Sequence, residues 1–70
     1  MMLLYVVTRA FEATHPISGR QHEFSAGDTF VCDSGQTSDT VTIEYEDSLL
    51  LVDRSTFESC CKCKNEGVLL

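Results

Sequence analysis

The sequence predicts an all-β protein, and three observations carry this prediction. Apolar and polar residues alternate with a period of two over several short segments, which is typical of strands with one buried face. Apolar residues nowhere recur at helical spacing for more than a turn. With 70 residues, of which 43% are hydrophobic, the chain suits one domain with a thin core.

Five strands are predicted along the chain. The first is rich in Leu, Val and Tyr, and the third is the clearest because residues 41–46 alternate strictly between apolar and polar. A turn at Gly27–Asp28 precedes the second strand, and a tight connection at Glu46–Ser48 joins the third to the fourth. The predicted strands are residues 2–8, 29–33, 41–46, 49–52 and 60–64.

Two of the connections have distinctive sequences. Residues 10–26 are predicted to be a long polar loop, because turn-forming residues cluster around Pro16. Residues 53–58 are predicted to be a single helical turn of the 3₁₀ type, which Ser55 can cap while Glu58 completes a capping box.

These elements favour a small five-stranded barrel with one short 3₁₀ turn before the last strand, because closure removes the exposed edges of a flat sheet. The chain resembles the SH3-like barrel family at two places. Glu23–Cys32 looks like the diverging turn of these barrels, with an aromatic residue, two small residues, Gly-Asp and then alternating core residues. Val52–Phe57 is similar to their passage from the fourth strand into a 3₁₀ turn with an inward aromatic residue.

The resemblance implies one SH3-like barrel domain over residues 1–64 and a C-terminal tail over residues 65–70. It makes residues 10–26 the long RT-type loop. Peptide-binding members of the family use a Trp and a Pro-x-x-Tyr segment, whereas this chain has no Trp and its one Pro is Pro16, so binding of Pro-rich peptides is not implied. The implied core residues are Phe24, Phe30, Cys32, Val41, Ile43, Leu50, Val52 and Phe57.

The charge balance narrows the choice of partners. Eleven acidic residues against five basic ones give a net charge of −6, and the Lys and Arg residues are scattered. Nucleic-acid binding and attraction to an anionic membrane are therefore not expected. Residues 39–53 hold five acids and no Lys or Arg, with Glu44, Glu46 and Asp47 as the densest group. Such charge keeps a small domain soluble, and it also predicts docking on a protein with a basic surface, of which imitation of DNA is a special case.

The apolar start of the chain is better explained as a strand than as a targeting signal. Residues 1–7 lack a basic flank, and they meet Thr8 and Arg9 too soon for the apolar core of a signal peptide. The cytoplasm is therefore the expected location, where thiols are kept reduced.

Four cysteines, three of them in one short run, raise an alternative hypothesis. Thiolates are good ligands for zinc and copper(I), but the run departs from the usual C-x₂-C spacing. On a strand, Cys61 and Cys63 share one face while Cys60 and Lys62 share the other, so the thiols do not converge on one ion. We therefore expect no metal and no cofactor, and keep as the alternative a metal- or redox-responsive protein that uses Cys60, Cys61 and Cys63, joined by Cys32.

The sequence does not predict an enzyme. His15 and His22 both fall in the predicted loop, and nothing in their spacing from a cysteine requires a nucleophile paired with a base. The glycines are isolated from one another, so no Gly-rich phosphate loop is present. The predicted function is a non-catalytic protein-binding module that docks through its long first loop and its acidic surface. Its candidate partner-binding residues are Phe11, His15, Arg20, Glu44, Glu46 and Asp47.

Overall fold

Strands dominate residues 1–64, the part of the chain that this computed structural model describes, and the all-β prediction is confirmed. The predicted tail, residues 65–70, lies outside the described residues. In chain order the elements are β1 (Met2–Val7), β2 (Phe11–Thr14), β3 (Gln21–Phe24), β4 (Thr29–Asp33), β5 (Thr40–Tyr45), β6 (Ser48–Asp53), α1 (Arg54–Cys60) and β7 (Cys61–Cys63). All strand pairs are antiparallel, and the described strands form one open sheet in the order β3-β2-β6-β5-β4-β1-β7.

The segment predicted as a long loop, residues 10–26, is instead a β-hairpin, so the described residues form seven strands rather than five. Phe11 of β2 lies opposite Phe24 of β3, and both side chains are buried. The hairpin ends in a loop where the His15 amide donates to the Arg20 carbonyl at 2.8 Å. The loop prediction was wrong because the turn residues in the middle of the segment outweighed the apolar residues at its two ends.

The turn before the last strand is a seven-residue α-helix rather than a 3₁₀ turn. Asp53 is its N-cap residue and makes no side-chain capping bond, so the predicted cap at Ser55 was wrong; the Ser55 hydroxyl donates to the Asp53 carboxylate instead. Phe57 and Cys60, three residues apart on one side of the helix, are buried. Because Cys60 is the last helical residue, the final strand begins at Cys61.

The core lies on the inner side of a strongly curled sheet. The rings of Phe24 on β3 and Phe30 on β4 have centroids 5.7 Å apart, although these strands are not neighbours in the sheet. Phe24 also meets Tyr45 of β5 at 4.9 Å, and Phe57 of α1 meets Tyr5 of β1 at the same distance. All eight core residues implied by the barrel resemblance are buried. The buried core also includes Val7, Phe11, Ala13, Cys60 and Cys61.

The loop between β4 and β5 is held in place by two side chains. The Thr42 amide donates to Gln36 Oε1 at 2.8 Å, and Gln36 Nε2 donates to the Thr42 carbonyl at 2.9 Å. Gln36 therefore gives Thr42 the two hydrogen bonds that a neighbouring strand would give it. Arg54 fixes the same loop, because Nε donates to the Ser38 carbonyl at 2.6 Å and Nη2 to the Gln36 carbonyl at 2.7 Å.

Like charges face each other on the outward side of the edge hairpin. Glu12 of β2 lies directly opposite Glu23 of β3, and both side chains are exposed. The hairpin is joined to β6, its neighbour in the sheet, by one residue pairing, between Thr14 of β2 and Leu51 of β6. The hairpin is thus attached to the sheet mainly through its inward side chains.

Candidate functional site

Four neighbouring strands present a continuous outer face on the side of the sheet away from the core. Residues on a strand alternate between faces, so Leu49 points outward next to the buried Leu50. The register places Leu49 opposite Glu44, Glu44 opposite Val31, and Val31 opposite Leu4. We call this line of side chains the outer row, and it consists of Leu49, Glu44, Val31 and Leu4.

The outer row is mainly apolar and accessible. Leu49 is 53% exposed and Leu4 is 38% exposed, while Val31 is half-buried. Met2, 45% exposed, lies two residues from Leu4 on the same face of β1. Scattered exposed apolar residues are normal on a protein surface, whereas apolar residues grouped on one face are characteristic of a binding surface.

The loop of the β2–β3 hairpin adjoins one end of the outer row. Ile17 at its tip is fully exposed. An open depression of about 340 Å³ is lined by residues 15–18 of this loop together with Ser48 and Leu49. The hairpin loop and the outer row therefore form one continuous surface, and they meet at Leu49.

The turn between β5 and β6 is acidic and has an unusual backbone. Glu46 and Asp47 have φ angles of 47° and 66°, in the left-handed region that non-glycine residues seldom adopt. Two-residue hairpin turns of this kind are usually occupied by Asn-Gly. The negative charge of Glu46, followed by burial, raises the pKa of the neighbouring Tyr45. The predicted tight connection is confirmed, and it holds two exposed carboxylates.

All five acids of residues 39–53 are exposed, and we call this stretch the acidic segment. Within residues 1–64, the ion pairs join the Met1 ammonium to Asp33 and Arg54 to Glu58, so none of the five carboxylates is paired with a cation. Arg54, which directly follows the segment, directs its guanidinium to the carbonyls of Gln36 and Ser38. The negative charge of the acidic segment is therefore left for solvent or a partner.

The structure brings most of the predicted partner-binding residues to this surface. Glu44 is in the outer row, Glu46 and Asp47 are in the adjoining turn, and His15 lines the depression beside Leu49. Arg20 is exposed at the base of the hairpin loop. The sixth residue, Phe11, is 7% exposed and stacks on Phe24 with ring centroids 5.1 Å apart, so it is a core residue whose ring is not presented to a partner.

Sequence reasoning missed Leu4, Ile17 and Leu49 as surface residues. A signal for Leu49 was present, because in the apolar run from Leu49 to Val52 only alternate residues can face one core. No local signal identified Leu4, since its place beside Val31 follows from the long-range register of β1 and β4.

The cysteines are largely shielded from solvent, unlike the exposed carboxylates of the acidic segment. Cys32, Cys60 and Cys61 are buried and Cys63 is half-buried, all as free thiols. Cys61 and the exposed Lys62 lie on opposite faces of β7, as predicted, but Cys60 is buried at the end of the helix rather than outward on a strand. No group of three or more His, Cys, Asp or Glu side chains within residues 1–64 is arranged to hold a metal ion.

Burial also disfavours thiolate chemistry at Cys61. Desolvation, with smaller contributions from Cys60 and Cys32, raises the pKa of Cys61 from 9.0 to about 12. Burial likewise raises the pKa of Cys32. Because the thiolate is the nucleophile and the metal ligand, a raised pKa lowers reactivity in both roles.

We expect the raised pKa of Cys61 to make stability fall at alkaline pH. The unfolded thiol ionises near its ordinary pKa of 9.0 while the folded thiol stays protonated to about 12, so this contribution is complete below the first value and is lost between the two. Denaturant unfolding at a series of pH values should show a steeper alkaline decline for the wild type than for Cys61→Ala. Parallel curves for the two proteins would contradict the assignment.

Comparison of the chain with protein-family models, with curated proteins and with solved structures found no match. No helix within residues 1–64 is long and apolar enough to cross a membrane. What the protein does is therefore inferred from its own surface.

Proposed function

We propose that this protein is a non-catalytic protein-binding module whose partners present basic surfaces. The observation that carries the proposal is the acidic segment, residues 39–53, which holds five exposed carboxylates and no Lys or Arg, and in which no carboxylate has a cation within ion-pair distance in the described structure. Charge of one sign, left uncompensated over part of a surface, attracts partners of the opposite sign and speeds their association.

The acidic turn supports a role in recognition rather than in folding. Glu46 and Asp47 occupy left-handed backbone positions where Asn and Gly would be less strained. Replacing both would remove two charges and at the same time relieve the turn. These positions therefore allow the effect of charge to be separated from the effect of stability.

The hairpin loop is the second docking element of the proposal. Its tip exposes Ile17, and it shares the depression beside Leu49 through His15. A partner seated on the acidic turn would reach this loop, because Ser48, which lines the same depression, directly follows Asp47.

A structural role for His22 supports the non-catalytic part of the proposal. Its ring is half-buried between aromatic residues, with centroids 4.6 Å from Phe24 and 5.0 Å from Tyr45. The metal- or redox-responsive alternative has no comparable support, since burial disfavours ionisation of Cys32 and Cys61. Four free cysteines are compatible with the cytoplasmic location that belongs to the proposal.

We further propose a relationship to the SH3-like barrels at the level of architecture. The support is the burial of all eight core residues that the resemblance implies, together with the Gly27–Asp28 turn that leads into β4. The open seven-stranded sheet is the main difference from a five-stranded barrel.

Affinity capture from the native host, followed by kinetics with the purified partner, tests the function. Glu46→Lys with Asp47→Lys should lower the association rate about tenfold or more at low salt, with a smaller change in the dissociation rate. Raising the salt concentration from about 50 to about 500 mM should also lower the association rate of the wild type, because screening shortens the range of the electric field.

Two matched controls make the result specific. Glu46→Asn with Asp47→Gly should weaken association while keeping or raising the melting temperature, which excludes unfolding as the cause. Glu58→Gln removes a carboxylate on α1, outside the acidic segment, and should leave the kinetics unchanged. An association rate indifferent to salt and to both turn variants would overturn the proposed function.

A further inference from the structure

The outer row places a single carboxylate between apolar side chains. Glu44 lies opposite Leu49 on one side and opposite Val31 on the other, with Leu4 one strand further. Neighbouring strands are about 4.8 Å apart, so the row extends for about 14 Å across four strands. Glu44 is thus in the interior of the outer row rather than at its end, with Thr42, Gln36 and Asp33 lining the same depression as Glu44 and Leu49.

This position limits what can cover the face. A partner that buries Leu49 and Val31 must also remove water from Glu44, and an ionised carboxylate without a partner is costly to bury. A Lys or Arg placed opposite Glu44 offsets that cost, whereas a purely apolar partner does not. The occupant must therefore be both apolar and positively charged.

We propose that the outer face binds an amphipathic basic helix lying across the strands, with one Lys or Arg on Glu44 and apolar side chains over Leu49 and Val31. Side chains three or four residues apart on a helix are about 5–6 Å apart, close to the spacing of the strands. The inference rests on the proposed function and adds to it the chemistry of the partner.

A second copy of this chain fits the face less well. A twofold dimer centred on Glu44 would place the two Glu44 carboxylates against each other, while Lys62, opposite Val6 on the same face, lies on the edge strand β7, three strands away from Glu44. Each copy also carries a net charge of −6, and the acidic segment adjoins the row. Charge complementarity thus favours a basic partner over self-association.

Fluorescence anisotropy with designed helical peptides tests the inference. The probe is a peptide of about 14 residues with Leu, Lys and Leu at successive fourth positions on one face. One control peptide carries Glu in place of Lys, and another carries the same residues in an order without an apolar face. Only the first probe should bind the wild-type protein measurably at low salt.

Variants of the outer row should change the binding in a specific pattern. Leu49→Ser should weaken the Lys probe about tenfold, because it removes a half-exposed apolar side chain from the contact. Glu44→Gln should weaken it about five- to tenfold. Glu44→Lys should shift the preference toward the Glu peptide by about tenfold or more, while the control Glu58→Gln should leave both affinities unchanged.

Three results would overturn the inference. They are equal binding of the Lys and Glu probes, affinity unaffected by Leu49→Ser and Glu44→Gln, and a Leu49-dependent dimer in sedimentation. Failure here is distinguishable from failure of the proposed function. If the natural partner remains sensitive to salt and to the Glu46 and Asp47 variants but is indifferent to Leu49→Ser, the docking module stands and the amphipathic helix does not.

Discussion

Phe24→Ala is expected to lower the free energy of unfolding by about 3–5 kcal/mol, comparable with the whole stability of a domain of this size. Phe24 is fully buried, and its ring contacts those of Phe11, His22, Phe30 and Tyr45. Its loss leaves a cavity and also removes the contacts between the edge hairpin and the strands β4 and β5.

Urea unfolding and amide hydrogen exchange measure this effect. Because the hairpin joins the rest of the sheet at a single backbone pairing, exchange should accelerate first in residues 11–24. Ile17→Ala, at a fully exposed position in the same hairpin, should change stability by less than about 0.5 kcal/mol. A Phe24→Ala protein that melts within a few degrees of the wild type would contradict the packing described for the hairpin.

Gln36→Ala is expected to lower the free energy of unfolding by about 2–3 kcal/mol, because it leaves the Thr42 amide without its partner and the Thr42 carbonyl with only the weak thiol donor of Cys32 at 3.6 Å. Gln36→Glu should be nearly as severe. It keeps an acceptor for the Thr42 amide but places a carboxylate against the Thr42 carbonyl, which Nε2 now contacts at 2.9 Å.

Gln21→Ala provides the matched control for the Gln36 variants. Gln21 is exposed and its side chain bonds to the Thr14 hydroxyl at 3.2 Å, so its loss should cost less than about 0.5 kcal/mol. Equilibrium unfolding in urea compares the three variants. Equal stability of Gln36→Ala and Gln21→Ala would show that water replaces the amide of Gln36 at β5.

Much of the fold follows from local pattern. Alternation with a period of two identifies β4, β5 and β6 and their inward residues, because a strand can bury only one of its two faces. The hairpin of β2 and β3 was not predicted, since its strands are only four residues long and the turn chemistry around Pro16 dominates the segment. The role of Gln36 has no local signal, because it depends on where the loop lies beside Thr42.

The candidate surface was likewise predictable from the sequence only in part. Charge counting identified Glu44, Glu46 and Asp47, since carboxylates on a small protein face solvent whatever its topology. The apolar part depends on register, because Leu49 and Leu4 lie 45 residues apart in the chain and share a row only through two intervening strands.

The facing carboxylates of Glu12 and Glu23 help to explain why an open sheet does not pair with further chains at its edge. An edge strand such as β3 carries backbone groups that can pair with another chain, and barrel closure is one way to remove that edge. Here a further hairpin adding in register would stack carboxylate beside carboxylate. Electrostatic repulsion therefore opposes fibre-like assembly at the β3 edge, so negative charge outside the acidic segment keeps identical molecules apart.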